Sequence, residues 1–183
     1  MPEIFGHSIG NLAVFIIAIT GTIFVWYLIL TNKRWPMETT YCIIKPGTGV
    51  PGKTQIFTAV MEAYPKGFKL FSGVVLTEEQ VLGLYGTLPP AIAEATARHM
   101  AGVPLSIIRI QGKNAIERIA RMRGSDIDPE KCAPRSFRRM AAKLQTVVWH
   151  ELPDGLRYCE NFAHVPQNPK EAAYCHQLLE TPS

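Results

Sequence analysis

Residues 12–30, LAVFIIAITGTIFVWYLIL, are apolar on every helical face, and no charge interrupts the chain between Glu3 and Lys33. At ~1.5 Å rise per residue, such a run crosses a hydrocarbon core of ~30 Å. A transmembrane helix is therefore expected over residues 12–31, behind a short tail at 1–11. Trp26, Tyr27 and Trp35 stand toward one end of the run, where amphipathic rings favour the membrane interface. The tail contains Glu3 and no Lys or Arg, and the first Arg is Arg34. That composition argues against a signal peptide, which has a basic start, and against an Arg-rich transit peptide. Lys33 and Arg34 follow the run directly. By the positive-inside rule they put the C-terminal part on the cytoplasmic or mitochondrial-matrix side of a single-pass membrane protein.

Beyond a linker at 32–38, in which Pro36 stops the helix, the pattern changes to short alternating elements within one domain, 39–183. TTYCII (39–44) reads as a strand, 55–63 as a helix and FKLFSGVVL (68–76) as a second strand. Thr77 and Gln80 form a capping box opening the next helix. A helix near 92–101 and a strand PLSIIRI (104–110) follow. Residues 114–123 then place Ala115, Ile116, Ile119 and Met122 on one helical face. Pro129 and Pro134 bracket a loop. VVWHELPDGLRYC (147–159) reads as a hairpin turning at Pro153-Asp154-Gly155. Asn168, Pro169 and Glu171 sign the start of a last helix. Paired strands alternating with helices indicate an α+β domain, and no internal repeat interrupts it.

Composition narrows the classes. At 47% hydrophobic and 19% charged residues, the 183-residue chain is not a disordered one. A net charge of +4 suits phosphate-bearing ligands or anionic lipid and gives no reason to expect nucleic acid. Cys42, Cys132, Cys159 and Cys175 are scattered without a C-x-x-C pair, so no metal site or disulfide framework is expected. There is no N-x-[ST] sequon. Arg118, Arg121, Arg123, Arg135, Arg138 and Arg139 form a basic cluster suited to phosphates, lipid head groups or an acidic partner.

Gly47 to Thr54, GTGVPGKT, satisfies the phosphate-loop pattern G-x-x-x-x-G-K-[ST]. Such a loop works in a parallel sheet, beside a second apolar strand ending in a metal-binding Asp. No such strand is present. FKLFSGVVL runs into Thr77, and PLSIIRI runs into Gln111. A phosphate-loop nucleotide binder is thus the minor alternative.

A different set of features spans most of 39–180. Lys45-Pro46 and a glycine loop follow the first strand. Lys66-Gly67-Phe68 opens the second, and Tyr85 lies on the next helix. GVPLSIIRIQGKNAIERI gives a strand and a Gly-x-Asn helix start. Pro129 and Pro134 are followed by Arg138. Asn161 and His164 form Asn-x-x-His, ahead of the Pro-opened helix NPKEAAYCHQLLE. In this order and near-family spacing, the chain resembles the nucleoside diphosphate kinase family. The resemblance implies a ferredoxin-like α+β sandwich and ping-pong phosphoryl transfer through a phosphohistidine at His164. It further implies a nucleotide site using Lys45, Tyr85, Arg121, Arg138 and Asn161, with Mg²⁺ and nucleoside triphosphate as cofactors of an active enzyme. No protein-bound metal site is implied.

The departures bear on activity. The family continues from its His as H-[GA]-S-D-S; here Val165 and Pro166 follow His164. The Glu that orients the His falls near Cys175. The base-stacking aromatic falls in PPAIAEA, which has no ring, and a phosphate-loop Thr falls near Asp126 or Ile127. The hairpin at 149–158 is an insertion positioned to cover or reshape the cleft. Losing the orienting group and the stacking ring removes more from phosphoryl transfer than His164 alone retains. The reading taken forward is a membrane-anchored kinase-like protein with impaired catalysis. It would act as an accessory subunit of a membrane protein complex, with the bilayer and other subunits as partners and nucleotide as a candidate ligand. The alternative is an active membrane-tethered nucleoside diphosphate kinase.

Overall fold

A computed structural model describes residues 37–152, 155, 157–159 and 162–180. The expected tail, the transmembrane helix at 12–31, nearly all of the linker, Asn161 and the hairpin tip residues Pro153 and Asp154 lie outside the described residues. Among the described residues, no helix is long and apolar enough to cross a membrane.

The strand β1 (Met37–Ile44) explains the core. Its run Tyr41-Cys42-Ile43-Ile44 is buried on both sides. Because side chains alternate across a strand, Cys42 and Ile44 enter one apolar cluster and Tyr41 and Ile43 the other. The first cluster contains Ile56 and Val60 of helix α1 (Val50–Ala63), Ile119 of α4 (Ala115–Arg123) and Phe137 of α5 (Phe137–Ala142). The second contains Val81 and Leu84 of α2 (Glu78–Leu84), Ala97 and Met100 of α3 (Pro90–Met100) and Cys175 of α6 (Pro169–Glu180). A central strand buried on both faces reads as a continuous apolar run, as seen in the sequence.

The other strands are β2 (Phe68–Val74), β3 (Leu105–Lys113), the hairpin strands β4 (Trp149–Glu151) and β5 (Arg157–Cys159), and the two-residue β6 (Ala163–His164). The main sheet has the order β2-β3-β1-β6 with every pairing antiparallel. This antiparallel sheet, with helices contributing to clusters on both of its faces, is a mixed α/β fold consistent with the ferredoxin-like arrangement. It also removes the structural basis for a phosphate-loop protein, which needs parallel strands. The capping box at Thr77 and Gln80 is formed. The last helix is capped by Asn168 Oδ1, which accepts from Glu171 N at 3.0 Å. At Gly67 a side chain would collide with the Gln111 carbonyl oxygen, so the β2–β3 approach requires glycine there.

Candidate functional site

β6 brings distant residues together. It pairs with β1 so that His164 faces Ile43 and Ala163 faces Ile44. One residue further, Lys45 N donates to the Phe162 carbonyl at 3.1 Å. Thr48 Oγ1 donates to the same oxygen at 2.8 Å. A lysine at a strand end and a histidine far along the chain are thereby held side by side. Tyr85 completes this floor at the C-terminus of α2. Its ring centroid lies 4.6 Å from that of His164, tilted by 58°. Lys45 Nζ lies 5.1 Å from the Tyr85 centroid, and the phenol donates to Met100 Sδ at 3.6 Å.

Arg138 enters from α5, whose first turn is capped by Ser136. Its Nη1 donates to the carbonyls of Asp126 and Gly124, which fastens the loop after α4. Arg123, the last residue of α4, donates through Nε to Gly124 O at 3.2 Å. With its carbonyl turned to the guanidinium, the Gln167 amide accepts from Arg123 Nη1 and Nη2. The hairpin contributes Cys159, whose Sγ donates to Ile127 O at 3.0 Å. These groups line a cleft of about 310 Å³, at the small end of the range for ligand sites.

The electrostatics follow from burial. His164 is 8% exposed, and its pKa is pushed down to about 3, chiefly by burial and then by Lys45, Arg123 and Arg138. The imidazole is therefore neutral across the physiological range. Its Nε2 is buried with no hydrogen-bond partner among the described residues. Burial also lowers Arg123, to about 10, with help from Arg138, and burial lowers Arg138; both stay cationic at neutral pH. Glu171 is the one carboxylate lining the cleft among the described residues. Its oxygens are engaged by Gln167 N at 2.9 Å and Asn168 Nδ2 at 2.8 Å. The pole around His164 is thus net positive and suited to an anion.

Of the sequence-derived residues, Lys45, Tyr85, Arg138 and His164 converge on this cleft. Arg121 does not line it. Its side chain is 69% exposed and pairs with Glu117 at 3.2 Å. Arg123 takes the place by the cleft instead. The signal was in the helical period: 123 lies at i+7 and i+4 from the buried Ile116 and Ile119, whereas 121 turns away. Cys159 and Gln167 also line the cleft and carry no distinguishing local pattern, and Glu171, legible in the sequence only as part of the helix cap, lines it too.

The GTGVPGKT segment lies elsewhere. Gly49 caps α1, and the following residues are its first turns. Gln145 takes the Gly49 N–H at 2.6 Å and donates to Gly47 O at 2.9 Å, while Thr54 Oγ1 donates to Val50 O at 3.0 Å. That backbone does not cradle a phosphate.

Among the described residues, no group of three or more His, Cys, Asp or Glu is placed to hold a metal ion. With both Glu171 oxygens engaged, the cleft's protein groups do not fit a Mg²⁺ ion of their own.

No family model matches the sequence, and no curated protein matches it. Solved structures do. The nucleoside diphosphate kinase of Aquifex aeolicus is 23% identical with a TM-score of 0.58, over 80% of this chain and 96% of that one. The enzyme of Borrelia burgdorferi, solved as a transition-state mimic with vanadate and ADP, is 15% identical with a TM-score of 0.57, over 79% and 88%. The halophilic enzyme of Halobacterium salinarum, solved with CDP, is 17% identical with a TM-score of 0.52, over 81% and 90%. The fold is nucleoside diphosphate kinase-like.

Proposed function

We propose that this chain is a membrane-anchored subunit whose kinase-like domain holds a phosphate-bearing ligand and in which phosphoryl transfer through His164 is impaired. One observation carries the reading: the buried His164 Nε2 finds no acceptor among the described residues. A nucleophilic imidazole needs its second nitrogen bonded to fix tautomer and ring direction. The nearest candidate from sequence, Cys175, is buried in the apolar cluster with Tyr41 and Tyr85. Burial pushes its thiol up to about 12, so it stays a neutral, weak hydrogen-bonding group.

Lys45 and Arg138 supply charge for the ligand's phosphates, with Asn161 proposed as a further hydrogen-bond partner. Nucleotide with Mg²⁺ carried on its phosphates is a candidate ligand. The span at 12–31 anchors the chain, with the domain from 39 on the cytoplasmic or matrix side. The bilayer and other subunits of a membrane protein complex are its partners. The fold likeness supports kinase ancestry, and the uncharged span supports the anchor.

Two measurements test this. ATP-to-GDP transfer by the purified full chain should stay near background, and purification in mild detergent should bring down other membrane subunits in fixed ratio. Rapid turnover by a chain that purifies alone would overturn the reading. The second reading is an active membrane-tethered kinase. It is favoured by the neutral state of His164, which leaves a ring lone pair free to attack at any physiological pH.

A further inference from the structure

Besides its cationic groups, the cleft is lined by four large aliphatic side chains, Leu84, Leu88, Ile92 and Ile127. Leu88 and Ile127 are 41% and 42% exposed, so both present apolar surface to solvent as well as to the cleft. Among the described residues lining the cleft, Tyr85 carries the only benzenoid ring, and that ring is already committed. It lies 4.6 Å from His164 and under Lys45, and its hydroxyl points inward to Met100. Among the described residues lining the cleft, a flat base would find no free ring to stack on, and the uncharged hydroxyl side chains of the lining are those of Thr87, Thr96 and Ser125. An aliphatic lining gains most from a flexible hydrocarbon, at about 0.8 kcal/mol per buried methylene.

We infer that the cleft selects a phosphate or diphosphate ester of a short aliphatic chain in preference to a nucleotide, with phosphate at Lys45, Arg123 and Arg138 and hydrocarbon along Leu84, Leu88, Ile92 and Ile127. This rests on the phosphate-ligand reading above. It changes the organic half of the ligand, not the anionic half.

Three probes share one anionic group: pyrophosphate, isopentyl diphosphate and ADP. Their affinities for the full chain are measured by calorimetry in the same Mg²⁺-containing buffer. Isopentyl diphosphate should bind at least about fivefold more tightly than pyrophosphate, because burying two methylenes suffices for that, and more tightly than ADP. Leu88→Ser and Ile127→Ser change exposed side chains, so both variants fold. Each should reduce the isopentyl advantage and leave pyrophosphate binding unchanged. A smaller gain over pyrophosphate, tighter binding of ADP, or an advantage untouched by both variants overturns the inference and leaves the phosphate site standing. If none of the three binds, the phosphate reading itself falls and takes this inference with it.

Discussion

Lys45 and the glycine-rich run of 47–54 adjoin in sequence and diverge in space. The run satisfies a sequence pattern at every fixed position, yet it forms the opening of α1 and is tied down by Gln145. Lys45 belongs to no comparably specific motif, yet β1–β6 pairing sets it beside His164, Tyr85 and Arg138. A short pattern specifies local backbone conformation. A phosphate site in addition needs open N–H groups or convergent cations, and those come from long-range pairing.

The largest effect on this contrast should come from Arg138→Ala. Arg138 is 7% exposed, and its guanidinium holds two carbonyls of the 124–126 loop. Its loss leaves buried acceptors unsatisfied, a destabilisation of about 2 kcal/mol, visible as a lower denaturant midpoint. Pyrophosphate binding should fall below detection. Next comes the lysine pair. Lys45→Ala should weaken pyrophosphate about tenfold, the loss of one charge-assisted contact, while Lys53→Ala should leave it unchanged. The reverse ranking would return the phosphate site to the glycine run.

A smaller effect concerns pH. The folded-state pKa of His164, about 3, lies below the ordinary 6.5. The unfolded chain therefore takes up the proton first. The stability contributed by keeping this ring neutral is full above pH 6.5 and is lost as pH falls toward about 3. The slope is at most about 1.4 kcal/mol per pH unit. Denaturant titrations across that window should show a shallower decline for His164→Asn than for the wild type. Equal slopes would mean that the ring is more hydrated than its burial indicates.

These contrasts also mark what the sequence made legible. The strand β1, the capping box at Thr77, the cap at Asn168 and the β4–β5 pairing all follow from local chemistry, and each is formed. The β6 segment was not legible, because two residues carry no period and pairing with β1 alone defines them. The helix α5 carries no sequence pattern for a related reason. A six-residue helix is fixed by its Ser136 cap and by packing of Phe137 more than by pattern. Within the site, the family resemblance implies Arg121 only if its register holds, and the helical face decides for Arg123. The smallest expected effect follows from this: Arg121→Ala should leave pyrophosphate affinity within about twofold, since an exposed i,i+4 pair contributes little, while Arg123→Ala should lower it measurably.

The state of His164 is decided most directly by mixing the full chain with γ-labelled ATP and Mg²⁺ and assaying acid-labile, alkali-stable label on the protein. Among the described residues, Nε2 lacks an acceptor and the cleft offers no free ring to hold a base, so little or no label should form within seconds. Wild type and His164→Asn should look alike. Fast, stoichiometric labelling that His164→Asn abolishes would contradict impaired transfer and establish the chain as a working kinase.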